Sequence, residues 1–197
     1  MAEIILASAS PRRIDMFLTR GFIARVSPSH VEESLPFPLT HRESVMYLAL
    51  KKAMATKESL TKAETLTGRE IIVGADTTVI SRKGTMLGKP ADKEEALAAL
   101  LSMRDTYHFV MTGVAIIGNT SSLCFYETTK VFFSHYSRED LLPYLDTDEP
   151  YDKAGGYAIQ GTFEKYVSRI EGDKNNVIGF PMTRFQQELQ SFLPLDG

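Results

Sequence analysis

The opening residues constrain the fold most. Ile4, Ile5, Leu6 and Ala7 form a short, unbroken apolar run, which predicts a strand buried on both faces. Ser10 and Pro11 follow as an N-cap and N1 pair, and Ile14, Phe17 and Leu18 keep helical spacing until Gly21. Strand, tight turn and helix are therefore set within the first twenty-one residues. Ile71, Ile72 and Val73 repeat the signal and run into Gly74, Ala75 and Asp76. Between the two runs, residues 22–26 read as a second strand, and Pro28, Pro36 and Pro38 mark a loop carrying Glu32 and Glu33. Thr40 and Glu43 have capping-box spacing, and Val45, Leu48, Ala49 and Ala53 extend an apolar helical face from there. Residues 58–69, polar and Thr-rich, read as a surface connection.

Beyond Asp76 the punctuation predicts a hairpin turn near Lys83-Gly84, then a helix from Asp92 and Glu95 to about residue 103. Two long β-type stretches, 107–117 and 123–133, flank Gly118 and Asn119 as in an antiparallel hairpin. Ser137 caps a short helix, 153–161 is Gly-rich, 163–170 is β-like, and a final helix enters through Pro181. The pattern predicts an α/β fold, a mixed twisted β-sheet flanked by helices with two lobes around a cleft, and functional motifs at strand ends. With 197 residues, the chain fits a single domain spanning 1–197.

Composition narrows the function. Apolar residues make up 43%, charged residues 24%, and the net charge is -3, which excludes disordered and collagen classes and argues against stable binding of duplex nucleic acid. Cys124 is the only cysteine, so no intrachain disulfide or thiolate metal cluster can form. His30, His41, His108 and His135 show no paired metal spacing. No apolar run approaches the ~18 residues of a membrane span, and the N-terminus lacks a signal-peptide pattern. A cytoplasmic protein that does not engage a membrane is the expectation.

Four constellations could carry chemistry. In Ser8-Ala9-Ser10-Pro11-Arg12-Arg13, two cations fall in a first helical turn, where the helix dipole disfavours each by about 0.3–1 kcal/mol. An anion on the free N–H groups would account for them, as would two arginines pointing into water. Asp76 follows two small residues that would let a ligand or metal approach the backbone; it could bind Mg²⁺, deprotonate water, or simply cap a turn. On a helical wheel Lys52 lies inside the apolar arc and Lys51 towards the polar side. Lys52 therefore faces inward, suited to a phosphate or snorkelling to solvent, while Lys89 in Gly88-Lys89-Pro90 sits in a rigid turn. In the stretch from Asp152 to Gly161, small residues around Lys153 and Gln160 allow backbone N–H groups and a carboxamide to reach a ligand.

Taken in order, these segments resemble the Maf family of nucleotide pyrophosphatases, the septum formation inhibitor group. The resemblance is carried by Ile5-Leu6-Ala7-Ser8-Ala9-Ser10-Pro11-Arg12-Arg13, Val31-Glu32-Glu33, Leu48 to Ala53, Gly74-Ala75-Asp76-Thr77, Gly88-Lys89-Pro90, Asp152 to Gly161 and Gly179-Phe180-Pro181. It implies a fold like that of inosine triphosphate pyrophosphatases, a homodimer in many members, and hydrolysis of nucleoside triphosphates to monophosphate and pyrophosphate with Mg²⁺ or Mn²⁺. By position, it implies Asp76 as base or metal-linked carboxylate and Glu33 as metal partner. It implies Ser8, Ser10, Arg12, Arg13 and Lys153 as substrate-holding groups, and Lys52 and Lys89 as phosphate holders that join Asp76 and Glu33 as catalytic residues. The details resemble the dTTP/UTP-directed subgroup, with canonical or modified pyrimidine triphosphates as the implied substrates, which makes Thr77 and Gln160 candidates for base recognition. Gly156 and Phe180 depart from the usual Ala and Leu without removing a functional group. A non-enzymatic nucleotide-binding regulator of cell division is the alternative. A dinucleotide oxidoreductase fails for want of a Gly-x-Gly-x-x-Gly after the first strand.

Overall fold

The computed structural model describes residues 3–22 and 24–193. Its elements are β1 (Glu3–Leu6), α1 (Pro11–Thr19), β2 (Ala24–Val26), α2 (His41–Lys62), β3 (Glu70–Ser81), β4 (Met86–Leu87), α3 (Lys93–Met103), β5 (Tyr107–Ile117), β6 (Ser122–Phe133), α4 (Arg138–Leu145), β7 (Val167–Glu171), α5 (Lys174–Ile178) and α6 (Met182–Phe192). Among the described residues, one mixed sheet of seven strands has the order β2-β1-β3-β5-β6-β7, with β4 beside β3. Strand β1 runs parallel to both β2 and β3, with Ile4 opposite Ala24 and Ile71. Strand β4 pairs antiparallel with β3, and β7 with β6. No helix among the described residues is long and apolar enough to cross a membrane.

The local signals explain most boundaries. Helix α2 begins with a complete capping box, Thr40 accepting from the Glu43 N–H while Glu43 accepts from the Thr40 N–H at 2.8 Å. Asp92 accepts from the Glu95 N–H at 2.9 Å to start α3, and Ser137 and Asp140 form a second capping box at α4. Two expectations change. Helix α2 runs through 58–62, a stretch read as connection; its polar last turn is held by the Glu58–Lys62 pair at 2.7 Å and by Thr61 donating to the Lys57 carbonyl at 2.8 Å. The segment before β7 is a tight turn over Glu164–Tyr166, and α5 carries no periodic signal in the sequence. Of the expected second strand, Ile23 lies outside the described residues.

The chain forms two compact units. The first takes in Met1–Thr77, Thr112–Glu127 and Gly179–Gly197. Its core includes Ile5, Ala7, Ile72, Ala115 and Ile117 against Ala49 and Ala53 of α2. Gly74 and Gly113 make that packing close: a Cβ on Gly74 would lie 2.2 Å from the Ala49 carbonyl oxygen, and one on Gly113 would lie 2.3 Å from that of Val45. Gly74, two residues before Asp76, thus admits a helix backbone. Phe17, Phe22, Phe180 and Phe185 pack as an aromatic group with centroids 5.0–5.7 Å apart.

The second unit takes in Thr78–Met111 and Thr128–Ile178. Its core gathers Leu100, Val131, Phe133, Tyr136, Tyr144, Tyr157 and Phe163. His108 is fully buried there, stacked on Phe133 and 2.7 Å from the Tyr157 hydroxyl through Nε2.

Candidate active site

The capping box at Thr40 fixes where α2 begins and hence which side chains face inward. Val45, Leu48, Ala49 and Ala53 are buried, and Lys52 lies on the same side with its side chain 14% exposed. Its ammonium meets two carboxylates, Glu33 Oε1 at 2.6 Å and Asp76 Oδ1 at 2.7 Å. Asp76 lies within β3, at neither end, because Thr77-Thr78-Val79-Ile80 continues the strand to Ser81. Strand packing leaves the Asp76 side chain 12% exposed, whereas Glu33 projects from the proline-marked loop and is 60% exposed. Burial raises the Asp76 pKa above the ordinary carboxylate value, Lys52 and Arg13 oppose that rise, and the charge of Glu33 adds to it. The result is a buried carboxylate with raised proton affinity, hydrogen-bonded to a cation that it shares with a second acid.

Arg13 lies in the first turn of α1, and its side chain is turned into the protein. Nε donates to the Gly179 carbonyl at 2.9 Å, Nη1 to the Ala75 carbonyl at 2.8 Å and to Ser8 Oγ at 3.4 Å, and Nη2 to Thr77 Oγ1 at 2.9 Å. Oxygens of the chain itself therefore receive four of its five N–H groups, and the guanidinium fork joins the β1–α1 turn, β3 and the residue before Phe180. Burial lowers the Arg13 pKa, with Asp76 and Glu33 pulling the other way. Arg12 is exposed on the same turn. Ser8 is buried and its hydroxyl accepts from the Ser10 N–H at 3.2 Å, which leaves its own proton to donate. Ser10 is the N-cap of α1 but its side chain makes no capping bond. Thr77 Oγ1 also lies 2.9 Å from Thr112 Oγ1 and 3.5 Å from the Gly179 carbonyl, so its hydroxyl is occupied within the protein.

Three expected residues belong to the second unit. Lys89 is exposed in the turn after β4, beside a small open hollow lined by Leu87, Pro90, Glu95 and Ala99. Lys153 donates to the Glu149 carbonyl at 2.7 Å and pairs with Asp152, so it is held within its own loop. Gln160 is exposed beside Gly161. The Gly155 N–H donates to the Gly88 carbonyl at 2.9 Å, tying the Gly-rich stretch to the residue before Lys89.

The sequence reading missed the Ala75 and Gly179 carbonyls, Thr112 and Lys51. The carbonyls carry no side-chain signal. Lys51 Nζ donates to the carbonyls of Glu32 at 2.7 Å and Ser34 at 3.3 Å, and only its place beside Lys52 pointed to it. Among the described residues no group of three or more His, Cys, Asp or Glu side chains is placed to hold a metal ion. Asp76 and Glu33, converging on one ammonium, are the acid pair that could share a cation.

A family model described as Maf-like protein matches residues 3–192, every segment that builds this geometry. The chain belongs to the Maf family. Among its relatives, a dTTP/UTP pyrophosphatase of Caldicellulosiruptor bescii is 40% identical over 192 residues, covering 96% of this chain and 94% of the relative. Another dTTP/UTP pyrophosphatase, from Geobacillus sp. (strain WCH70), is 37% identical over 190 residues, covering 96% and 98%. A third, from Pelotomaculum thermopropionicum, is 39% identical over 194 residues, covering 98% and 97%. Among solved structures, the Ham1 protein of Staphylococcus aureus aligns with 98% of this Maf chain and 99% of its own, at a TM-score of 0.48 and 15% identity.

Proposed function

We propose that this Maf family member hydrolyses dTTP and UTP to the nucleoside monophosphate and pyrophosphate. The observation that carries the reading is the buried Asp76 carboxylate hydrogen-bonded to Lys52, in a chain whose near full-length relatives are named for that reaction. Hydrolysis at the α-phosphorus needs a base for water and positive charge for the departing pyrophosphate. Asp76 takes the proton, its raised affinity bringing it closer to the working pH of a general base. Lys52 holds Asp76 in place and supplies charge next to it. Arg12, Ser8 and Ser10 bind the phosphates. Arg13, with four acceptors already in the protein, holds the frame and has one N–H left for substrate.

Asp76 and Glu33 fit a divalent cation of the Mg²⁺ or Mn²⁺ type, because such ions take hard oxygen donors and one or two carboxylates suffice when phosphates complete the shell. Such a cation, when bound, would supply Lewis-acid charge to the phosphate oxygens. Thr77 contributes through Arg13 rather than through a free hydroxyl.

The test is pyrophosphate and monophosphate release from a panel of nucleoside triphosphates with Mg²⁺ or Mn²⁺, with Asp76→Asn alongside. Release from dTTP and UTP, reduced at least a hundredfold in Asp76→Asn while nucleotide binding persists, is the expected result. Release mainly from a guanine nucleotide would overturn the pyrimidine assignment, and no release from any nucleotide would favour a binding protein that regulates cell division.

A further inference from the structure

Glu33 sits in a segment with little to hold it. Residues 27–40 contain no helix or strand, and residues 32–38 are all exposed. The start of the segment is tied by Thr56 Oγ1 donating to the Ser27 carbonyl at 3.2 Å, and its end by the capping box of α2. The Glu33 carboxylate is 60% exposed. A second ammonium reaches the same place. Lys51 donates to the carbonyls of Glu32 and Ser34, the residues on either side of Glu33, while Lys52, its neighbour on α2, takes the Glu33 carboxylate at 2.6 Å.

We infer that Lys51 is a positioning residue: by clamping the backbone on both sides of Glu33 it holds that carboxylate against Lys52 and Asp76. Lys52 gains the Glu33 side chain only if the loop backbone is already in place, and Lys51 is the group that places it. The ammonium suits the task because its three donors can serve two carbonyls at once. The effect on turnover rests on the pyrophosphatase reading above; the effect on the loop does not.

Two measurements separate them. In metal-free and nucleotide-free buffer, a glutamyl-specific endoprotease cuts the native protein after Glu32 or Glu33 only as fast as the loop opens. Lys51→Met is expected to raise that rate about tenfold and leave cutting at the exposed Glu64 unchanged, with Lys51→Arg restoring resistance. Lys51→Gln repeats the loss should the Met variant melt early. In dTTP hydrolysis, Lys51→Met is expected to lower kcat/KM about tenfold in the wild-type background and to add nothing to Glu33→Gln, a coupling that a merely structural role would not produce. An unchanged cutting rate at Glu32 and Glu33 overturns the clamp. Losses that multiply fully in the double variant overturn its action through Glu33. A wild-type protein that hydrolyses no nucleotide refutes the pyrophosphatase reading, while the protease rates still decide the clamp.

Discussion

A guanidinium directed at Ser8, Ala75, Thr77 and Gly179 serves as a frame for the residues around it. Its planar fork serves acceptors on several sides at once, a task one ammonium cannot repeat. Arg13→Lys is therefore expected to cost about 2–4 kcal/mol, read as a lower urea midpoint, because a buried charge keeps fewer partners. An unchanged midpoint would mean that these contacts contribute nothing net. The inward placement of Lys52 was legible from the wheel, since helix phase follows directly from the cap at Thr40 and the apolar face. The surroundings of Arg13 were not legible, since two of its acceptors are backbone carbonyls that any residue would offer. The position of Asp76 within β3 had a readable signal in the β-branched residues after it, masked by the end of the apolar run at Ala75.

At the scale of elements, caps and close packing do different work. Asp92 accepts one N–H at the start of α3. Asp92→Ala is expected to cost about 1 kcal/mol in thermal or urea unfolding and to leave kcat within twofold. Gly74→Ala is a harsher change, since its methyl carbon would sit 2.2 Å from a backbone oxygen of α2 and only movement of the helix relieves the clash. We expect a loss of about 1–3 kcal/mol or more. The loss of hydrolysis should exceed what that destabilisation explains, because α2 carries Lys52; full activity in a folded Gly74→Ala protein would argue against this packing. The caps were visible in the sequence because they are local, two or three residues read together. The glycine contact is tertiary, and a lone Gly-Ala pair reads equally well as room for a ligand. Strands 107–117 and 123–133 were legible for the same local reason, whereas α5 is too short to show a period.

For the whole molecule, His108 sets a pH dependence. Burial lowers its pKa from 6.5 to about 3. Between those values the unfolded chain binds a proton that the folded chain does not, so this contribution is complete above pH 6.5 and is lost as pH falls towards 3. The loss is about 1.4 kcal/mol for each pH unit within that window. Urea midpoints measured from pH 7 to 5 should fall more steeply for the wild type than for His108→Phe, and parallel slopes would remove His108 as the cause. The chain also passes between its two units four times, at 77/78, 111/112, 127/128 and 178/179. That path has a consequence for synthesis, which proceeds from the N-terminus. Arg13 is made early, but the Gly179 carbonyl that receives its Nε lies 166 residues further on. On the ribosome, a nascent chain can therefore form α1 early and still leave this guanidinium without Ala75 and Thr77 until β3 is made, and without its last acceptor until residue 179 has emerged.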